Sequence, residues 1–110
     1  MERKFETEAI RHQLERTEFL EHSVPLYLTS SFVFEDAEDM RASFAEEKVR
    51  NIYSRFSNPN CTEFVEKICK MEGAKDGFAF ATGMAAVFST FAALLKSGDH
   101  VLSSRSVFGS

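Results

Sequence analysis

The strongest constraint on the fold is a pattern of strand, helix and strand toward the end of the chain. Residues 77–81 are a short apolar run of strand type, which Thr82 and Gly83 end. Residues 84–95 then have helical periodicity, and residues 100–104 form a second short strand. A succession of this length predicts a right-handed βαβ unit with parallel strands, and therefore an α/β fold.

The turn between the first strand and the helix is a candidate ligand site. In α/β folds a ligand lies beyond the carboxyl end of the strand, which here means Thr82, Gly83 and Met84. Glycine lets a ligand approach the main chain closely, and the first N–H groups of a helix attract an anion. A glycine at such a junction is more often a packing or turn device, so this signal is weak by itself.

A second candidate site for an anion precedes another helix. Asn58 followed by Pro59 is typical of an N-cap and a first helical residue, so Tyr53 and Arg55 lie in a loop upstream of the helix. An arginine presents a planar fork of donors that suits phosphate, and a tyrosine hydroxyl can add one more. Such a pair is usually solvated surface. The two segments together predict a phosphorylated ligand.

The helix that begins at Pro59 has a natural end at Gly73. Cys61 and Cys69 both fall on this helix, too far apart to bridge each other easily, and we interpret them as reduced, buried cysteines of a cytoplasmic protein. The three histidines share no ligand spacing with these cysteines, so no metal site is predicted.

The first fifty residues contain too little apolar surface for a core of their own. Residues 5–14 can form one amphipathic helix, residues 23–34 are extended and apolar, and residues 36–50 are acidic and helix-permissive. Glu46 and Glu47, beside Lys48, are interpreted as a solvated charged face. Considered without further evidence, this part of the chain would be a frayed tail.

Composition limits the classes of partner. The chain has 110 residues, of which 44% are apolar, and twelve phenylalanines with no tryptophan predict a core of phenyl rings. A net charge of −4 gives no support for nucleic acid as a partner, because proteins that bind it are usually basic. No run reaches the length of a membrane span and no signal peptide is recognised, so a cytoplasmic location is predicted.

Residues 53–59 and 82–86 resemble the N-terminal part of the pyridoxal-phosphate (PLP) enzymes of cysteine and methionine metabolism. This family includes cystathionine γ-synthase, cystathionine γ-lyase, methionine γ-lyase and the O-acylhomoserine sulfhydrylases. The resemblance to the family as a whole also includes residues 8–10, 24–32 and 98–101. Within the family, residues 21–23 and 104–110 resemble the sulfhydrylases most. It implies the leading part of an aspartate-aminotransferase-type fold, with residues 1–57 as an N-terminal arm in contact with another subunit and residues 58–110 as the start of the PLP-binding domain.

The resemblance also implies roles for individual residues. Tyr53 and Arg55 would bind the cofactor phosphate, and in the family this pair reaches into the neighbouring subunit's site. Gly83 and Met84 would donate main-chain N–H groups to the phosphate in their own subunit, with Thr82 in the same cofactor-binding turn. The cofactor would be PLP, in a homo-oligomer that is a dimer of dimers.

Two positions depart from the family pattern. Phe108 stands where most members have a tyrosine stacked on the pyridine ring. A phenyl ring can stack but cannot move a proton, which removes any catalytic role of the usual hydroxyl. Asn60 stands where threonine is common after Asn-Pro, and because either residue supports the start of a helix we interpret this change as minor.

The family's Schiff-base lysine lies farther along its chains, and no lysine here has the Ser/Thr-rich context that it requires; the lysines are Lys4, Lys48, Lys67, Lys70, Lys75 and Lys96. No catalytic residue is therefore expected in this chain, which is predicted to be the front portion of an enzyme and inactive by itself.

The resemblance implies γ-replacement on O-acetyl- or O-succinylhomoserine, in which sulfide or a thiol displaces the acyl group. An amino-acid substrate and methionine biosynthesis follow from this reaction. Two alternatives stay open: γ-elimination, as in methionine or cystathionine γ-lyase, and a truncated, non-catalytic chain that binds anions or partners. All of these enzymes bind the cofactor phosphate with the same residues. Those residues therefore do not tell whether the reaction is replacement or elimination, which acyl group the substrate carries, or what the sulfur donor is.

Overall fold

The computed structural model describes residues 3–13 and 15–109. The chain falls into two compact units, Met1–Ala79 and Phe80–Ser110. These units reflect the packing of the chain with itself. They do not test the predicted arm at residues 1–57 or the predicted start of a PLP-binding domain at residue 58, which stay predictions.

Four α-helices are present in the described residues. The first unit contains α1 (Phe5–Arg11), α2 (Ala37–Phe44) and α3 (Pro59–Glu72), and the second contains α4 (Gly83–Leu94). None of these helices is both long enough and apolar enough to cross a membrane.

Helix α3 begins and ends where the sequence predicts. The side chain of Asn58 accepts a hydrogen bond from the N–H of Asn60, and Pro59 is the first helical residue. Gly73 ends the helix with a φ of 66°, a left-handed conformation that glycine adopts without steric cost. Both predicted boundaries are confirmed, which places Tyr53 and Arg55 in a loop just before a capped helix.

Helix α4 is also confirmed, one residue earlier than predicted at each end. Thr82 is its N-cap, and the hydroxyl oxygen of Thr82 accepts a hydrogen bond from the N–H of Ala85 at 3.1 Å. Helix α1 is shorter than the predicted 5–14, because the chain is already extended at His12. Its apolar residues are only loosely in phase, and the last of them, Leu14, lies outside the described residues.

The predicted βαβ unit has no hydrogen-bonded ladder in the described residues. Neither 77–81 nor 100–104 is a strand. The β-pairing among the described residues is a single antiparallel bridge elsewhere in the chain, between Ser31 and Tyr53. A strand is defined by its neighbours, and neither segment has a described partner to pair with. The parallel sheet therefore stays a prediction.

The predicted phenylalanine core is wrong for the described chain. No described apolar side chain is fully buried, and Phe78 and Phe88 are 87% and 72% exposed. The buried residues are polar: Asp39, Ser43, Asn58 and Glu63. Short helices joined by long connections cannot enclose twelve phenyl rings, so hydrogen bonds and ion pairs hold the described structure together.

Because so much apolar surface is exposed, we expect the 110-residue chain by itself to associate and to unfold over a broad temperature range. Sedimentation velocity at several concentrations measures the association, and far-UV circular dichroism on heating measures the unfolding. A clean monomer with a sharp two-state transition would contradict this expectation.

Candidate functional site

The loop that carries Tyr53 and Arg55 is paired with an earlier segment of the chain. The N–H of Phe32 donates to the carbonyl of Ile52 at 3.2 Å, and the N–H of Ser54 donates to the carbonyl of Ser30 at 2.9 Å. These two bonds flank the Ser31–Tyr53 bridge. The main chain at Tyr53 is therefore fixed by partners more than twenty residues away in sequence.

Two asparagines continue this pairing into the first turn of α3. Asn60 accepts from the N–H of Tyr27 at 2.8 Å and donates from Nδ2 to the carbonyl of Pro25 at 2.7 Å. Asn58 donates from Nδ2 to the carbonyl of Tyr27 at 3.1 Å and to the hydroxyl of Ser54 at 3.0 Å. We call these contacts the asparagine clamp. The interpretation of Asn60 as a minor change considered only the start of the helix; in the structure its amide also serves two main-chain groups that are two residues apart.

Between the bridge and the clamp, the chain makes a tight turn that displays Arg55. The carbonyl of Tyr53 accepts from the N–H groups of Phe56 and Ser57 at 2.9 and 3.1 Å. The guanidinium carbon of Arg55 lies 5.1 Å from the ring centre of Tyr53 and 5.7 Å from that of Phe56. Cation–π contacts of this length hold the guanidinium without using its N–H donors.

Arg55 has no carboxylate partner in the part of the chain that the structure describes. This distinguishes it from Arg41 and Arg50, which are both in ion pairs with acidic side chains. Arg55 borders a cleft of about 320 Å³ between the turn, the first half of α3 and residues 76–79. Its fork of donors is therefore available to an anion.

The start of α4 offers main-chain donors. The first bond of the helix runs from the N–H of Ala86 to the carbonyl of Thr82, and the Thr82 side chain accepts from Ala85. No described residue accepts from the N–H of Gly83 or Met84, so both are free donors at the positive end of a twelve-residue helix. The Thr82 hydroxyl, used as an acceptor, can still donate its hydrogen.

Gly83 is not required by the geometry of the described chain itself. Its φ is not in the left-handed region, and outside its own helix a Cβ at this position would meet no described atom within 4 Å. The absence of a side chain at Gly83 is thus consistent with close approach by a ligand. Phe108 is 72% exposed and has no ring partner among the described residues.

A cluster of charges that the sequence analysis missed lies on the segment leading to Tyr53. The Asp39 side chain, only 6% exposed, accepts from Lys48 Nζ at 2.5 Å and from Arg50 Nη1 at 2.6 Å. The hydrogen bond from Lys48 and that from the main-chain N–H of Glu35 hold the pKa of the Asp39 carboxyl below its usual value. The same contact raises the pKa of Lys48.

The interpretation of Glu46, Glu47 and Lys48 as a solvated charged face is confirmed, since all three residues are exposed, but it did not include the ion pair of Lys48 with Asp39. Glu47 is exposed, and its ion pair with Arg41 lowers the pKa of its carboxyl. Lys48 is directed to Asp39. In the sequence, this cluster is visible only as an aspartate in the first turn of an acidic helix, followed nine and eleven residues later by Lys48 and Arg50. This spacing is not typical of any known motif, so nothing in the sequence indicated that these residues pair.

No group of histidine, cysteine, aspartate and glutamate among the described residues could hold a metal ion. Three of the six lysines lie near a glutamate or aspartate: Lys48, Lys67 and Lys70. Cys61 and Cys69 are free thiols, but the prediction that they are buried is wrong, since Cys61 is exposed and Cys69 is half-buried.

Comparison with known proteins identifies what the chain is similar to. The family model described as "Cys/Met metabolism PLP-dependent enzyme" matches residues 6–110. The chain is 48% identical over 106 residues to O-succinylhomoserine sulfhydrylase of Pseudomonas aeruginosa, which is 96% of this chain and 26% of that protein. It is 42% identical to the enzyme of the same name from Mycobacterium tuberculosis over 94% of this chain. L-methionine gamma-lyase of Fusobacterium nucleatum is 39% identical over 79% of the chain.

A solved structure agrees with these sequences. A crystal structure described as an O-acetylhomoserine (thiol)-lyase from Campylobacter jejuni superimposes with a TM-score of 0.81 and 33% identity. The match covers 89% of this chain and 24% of that one, which carries N′-pyridoxyl-lysine-5′-monophosphate at its position 205. This chain thus spans about a quarter of the length of its relatives. The predicted family, its PLP cofactor and the PLP-enzyme fold are confirmed.

Each of the two units, taken by itself, contains groups that suit the phosphate of such a cofactor. Arg55 contributes a guanidinium with free donors, and Gly83 and Met84 contribute free N–H groups at a helix N-terminus. No structural observation assigns these residues to the cofactor directly, so their roles stay proposals.

The asparagine clamp can be tested at Asn60. Replacing Asn60 by alanine removes two hydrogen bonds and should speed amide exchange at Tyr27 about tenfold, equivalent to about 1.4 kcal/mol. Asn60→Thr should recover only part, because a short hydroxyl cannot reach both main-chain groups. Asn51→Ala is the matched control, since Asn51 makes no hydrogen bond to any described residue. Unchanged exchange at Tyr27 in Asn60→Ala, measured by NMR, would refute the clamp.

The Asp39 cluster predicts a dependence of stability on pH. Because the folded-state pKa of Asp39 is lowered, its stabilisation is complete above the ordinary carboxyl pKa of about 3.9 and is lost as pH falls through the folded value. The difference in urea midpoint between wild type and Asp39→Asn should therefore be constant from about pH 5 to 7 and shrink at lower pH. Glu47→Gln, which removes an exposed pair on the same segment, is the control and should change the midpoint little. A difference that is unchanged on acidification would contradict the assignment.

Proposed function

The chain belongs to the PLP-dependent enzymes of Cys/Met metabolism, and from this premise we propose that it is the N-terminal portion of an O-acylhomoserine sulfhydrylase. The reaction is γ-replacement: the sulfur of sulfide or a thiol bonds to the γ-carbon of an O-acylhomoserine, and the acyl group leaves as a carboxylate. The identity of 48% to a sulfhydrylase over nearly the whole chain supports this choice. Such an enzyme is a transferase of methionine biosynthesis.

The observation that carries the binding part of the proposal is the state of Arg55. Its guanidinium is held over two aromatic rings and lacks a carboxylate partner in the described chain, although seventeen acidic residues are available in the sequence. An arginine kept unpaired in this way is suited to a phosphate from outside its own unit. The Tyr53 hydroxyl is the neighbouring donor.

Within the enzyme, this chain supplies binding and orientation. When bound, PLP provides the electron sink for the amino-acid substrate. Arg55 and Tyr53 hold a phosphate through side chains, and Gly83 and Met84 hold one through main-chain N–H groups, with the Thr82 hydroxyl as a further donor. Phe108 supplies an apolar face for stacking and cannot transfer a proton. The lysine that bonds the cofactor is not among these residues, in accord with the lysine adduct at position 205 of the Campylobacter jejuni structure.

Two related proposals concern the assembly. Tyr53 and Arg55 act in the site of an adjacent subunit, so the complete enzyme is a homo-oligomer, a dimer of dimers, and it is cytoplasmic. The exposed phenylalanines support an assembly in which other protein surface covers them.

The second candidate reaction is γ-elimination, which the 39% identity to L-methionine gamma-lyase supports. Whether the chain can serve as part of such an enzyme is tested in a grafted enzyme, in which residues 6–110 of this chain replace the matching segment of the Pseudomonas aeruginosa sulfhydrylase. We expect the grafted enzyme to bind PLP and to form homocysteine from O-succinylhomoserine and sulfide. A grafted enzyme that folds but binds no PLP would favour the third possibility, a non-catalytic chain.

Discrimination between replacement and elimination depends on the natural protein, because the graft inherits most of its active site. Assaying the complete natural enzyme with O-succinylhomoserine, O-acetylhomoserine and methionine, with and without sulfide, separates the two. Release of a 2-oxo acid from methionine as the main activity would overturn the sulfhydrylase proposal.

The role of Arg55 predicts the effect of its removal in the grafted enzyme. Arg55→Ala eliminates a charge-assisted bidentate contact and should weaken PLP binding by about 1.5–3 kcal/mol, which is about ten- to a hundredfold in Kd. Arg55→Lys should recover only part, because an ammonium group cannot reproduce the fork.

The matched control is Arg41→Ala, which removes an arginine whose ion pairs with Glu38 and Glu47 are exposed. Its PLP affinity should equal that of the wild type. PLP titration by absorbance, with circular dichroism to verify folding, makes the comparison. Equal PLP affinity in Arg55→Ala and wild type would show that Arg55 does not bind the cofactor phosphate.

A further inference from the structure

Residues 32–52 form a loop whose two ends are held together immediately before Tyr53. Its base is the hydrogen bond from Phe32 to Ile52, beside the Ser31–Tyr53 bridge. We refer to this segment as the 32–52 loop. Because Tyr53 follows its last residue directly, any change in how the loop closes is transmitted to the turn that displays Arg55.

The loop reverses direction after α2 through a strained turn. The N–H of Glu47 donates to the carbonyl of Ala42 at 3.0 Å and that of Glu46 to the carbonyl of Ser43 at 3.3 Å, the bonds of a Schellman motif. Glu46 occupies the left-handed position with a φ of 59°, where glycine is usual. A side chain in this conformation persists only where the surrounding contacts hold it.

The contacts that hold this turn converge on Asp39. Asp39 lies in the first turn of α2, and Lys48 and Arg50 return to its two carboxylate oxygens from the far side of the reversal. The N–H of Glu35 donates to the same carboxylate at 3.1 Å. One nearly buried carboxylate therefore connects the beginning, the helix and the end of the 32–52 loop.

Arg50 carries this restraint to the base of the loop. Its second nitrogen donates to the carbonyl of Val33 at 2.7 Å, and its guanidinium lies 5.0 Å from the ring centre of Phe34. The side chain of Arg50 thus crosses from one end of the loop to the other next to the Phe32–Ile52 hydrogen bond. The hydrogen bond from Arg50 to Val33 thus supplements the two main-chain hydrogen bonds that pair residues 30–32 with residues 52–54.

We propose that Asp39 is a positioning residue for phosphate binding: by anchoring Lys48 and Arg50 it closes the 32–52 loop and sets the turn that presents Tyr53 and Arg55. This inference rests on the proposed function of Arg55. In this proposal Asp39 acts through Lys48 and Arg50 and not by contact with substrate or cofactor. Its carboxylate is needed because an amide of the same shape would direct an NH₂ group at a cation or at the N–H of Glu35.

The test compares Asp39→Asn with Glu47→Gln in the grafted enzyme. For Asp39→Asn we expect the Kd for PLP to rise about three- to tenfold, because the phosphate ligand is no longer preorganised. The kcat at saturating PLP should stay within about twofold of wild type, since bound cofactor restores the turn. Hydrogen exchange of the apoenzyme should be faster at residues 53–57. Glu47→Gln should match wild type in all three measurements.

A purely structural role would lower the thermal midpoint without changing the Kd of the folded enzyme, and this result would overturn the inference. Rescue adds a second criterion. Glu46→Gly removes the strain at the reversal, so the double variant Asp39→Asn/Glu46→Gly should recover part of the PLP affinity that Asp39→Asn loses. No recovery would count against the proposal that Asp39 acts by closing the 32–52 loop. If Asp39→Asn does not fold, Arg50→Lys keeps the charge but loses the fork, and it should show a smaller rise in Kd with the same faster exchange.

The design also separates this inference from the function on which it rests. If Arg55→Ala weakens PLP binding and Asp39→Asn does not, the phosphate role stands and the positioning role is refuted. If the wild-type grafted enzyme binds no PLP, the proposed function fails. Exchange at residues 53–57 then decides alone whether Asp39 sets the turn: equal rates in Asp39→Asn and wild type refute it.

Discussion

The hydrogen bonds that Asn58 and Asn60 make with the main chain of residues 25–27 determine where the loop beginning at Tyr53 can lie. A loop rich in polar residues has no apolar reason to adopt one conformation, and conformational entropy favours many. Here the loop is fixed at one side by the Ser31–Tyr53 bridge and at the other by a capped helix. Asn58 performs two tasks at once, since its Oδ1 caps α3 while its Nδ2 reaches Tyr27. The start of the helix and the docking of the earlier segment therefore depend on the same side chain.

This reliance on polar contacts follows from the absence of a buried apolar core in the described chain. Each net hydrogen bond contributes only about 1 kcal/mol, whereas a buried large apolar side chain contributes about 2 kcal/mol, so polar contacts alone give a shallow stability. Their value is directional: they specify register and turn geometry without supplying much free energy. An assembly that covers the exposed phenyl rings would supply that free energy, which is why we connect the proposed oligomer to stability as well as to the site.

Local chemistry made the helices predictable. Asn58, Pro59 and Gly73 each have a strong preference for one position at a helix end, and the structure places all three there. The predicted strands could not be confirmed in the same way, because pairing depends on residues distant in sequence that local patterns do not identify. The phenylalanine core failed for a related reason. Composition shows that apolar surface must be covered, but it does not show that the same short chain covers it.

The same distinction separates what could be predicted of the site. Tyr53, Arg55 and Gly83 belong to short segments with recognisable chemistry, so the sequence could nominate them. Asp39 and Asn60 act over long separations, on Arg50 and on Tyr27, and neither has a spacing that would have revealed its partner.

The two elements that we propose bind phosphate differ in how they resist change. Gly83 and Met84 donate through the main chain, so most substitutions leave their N–H groups in place provided that Thr82 still caps the helix. Arg55 donates through a side chain whose orientation depends on ring contacts, a tight turn and a closed loop. Its contribution can therefore be altered by residues that never approach a ligand. For this reason, changes in phosphate affinity among related chains are expected to arise around the 32–52 loop more than at the start of α4.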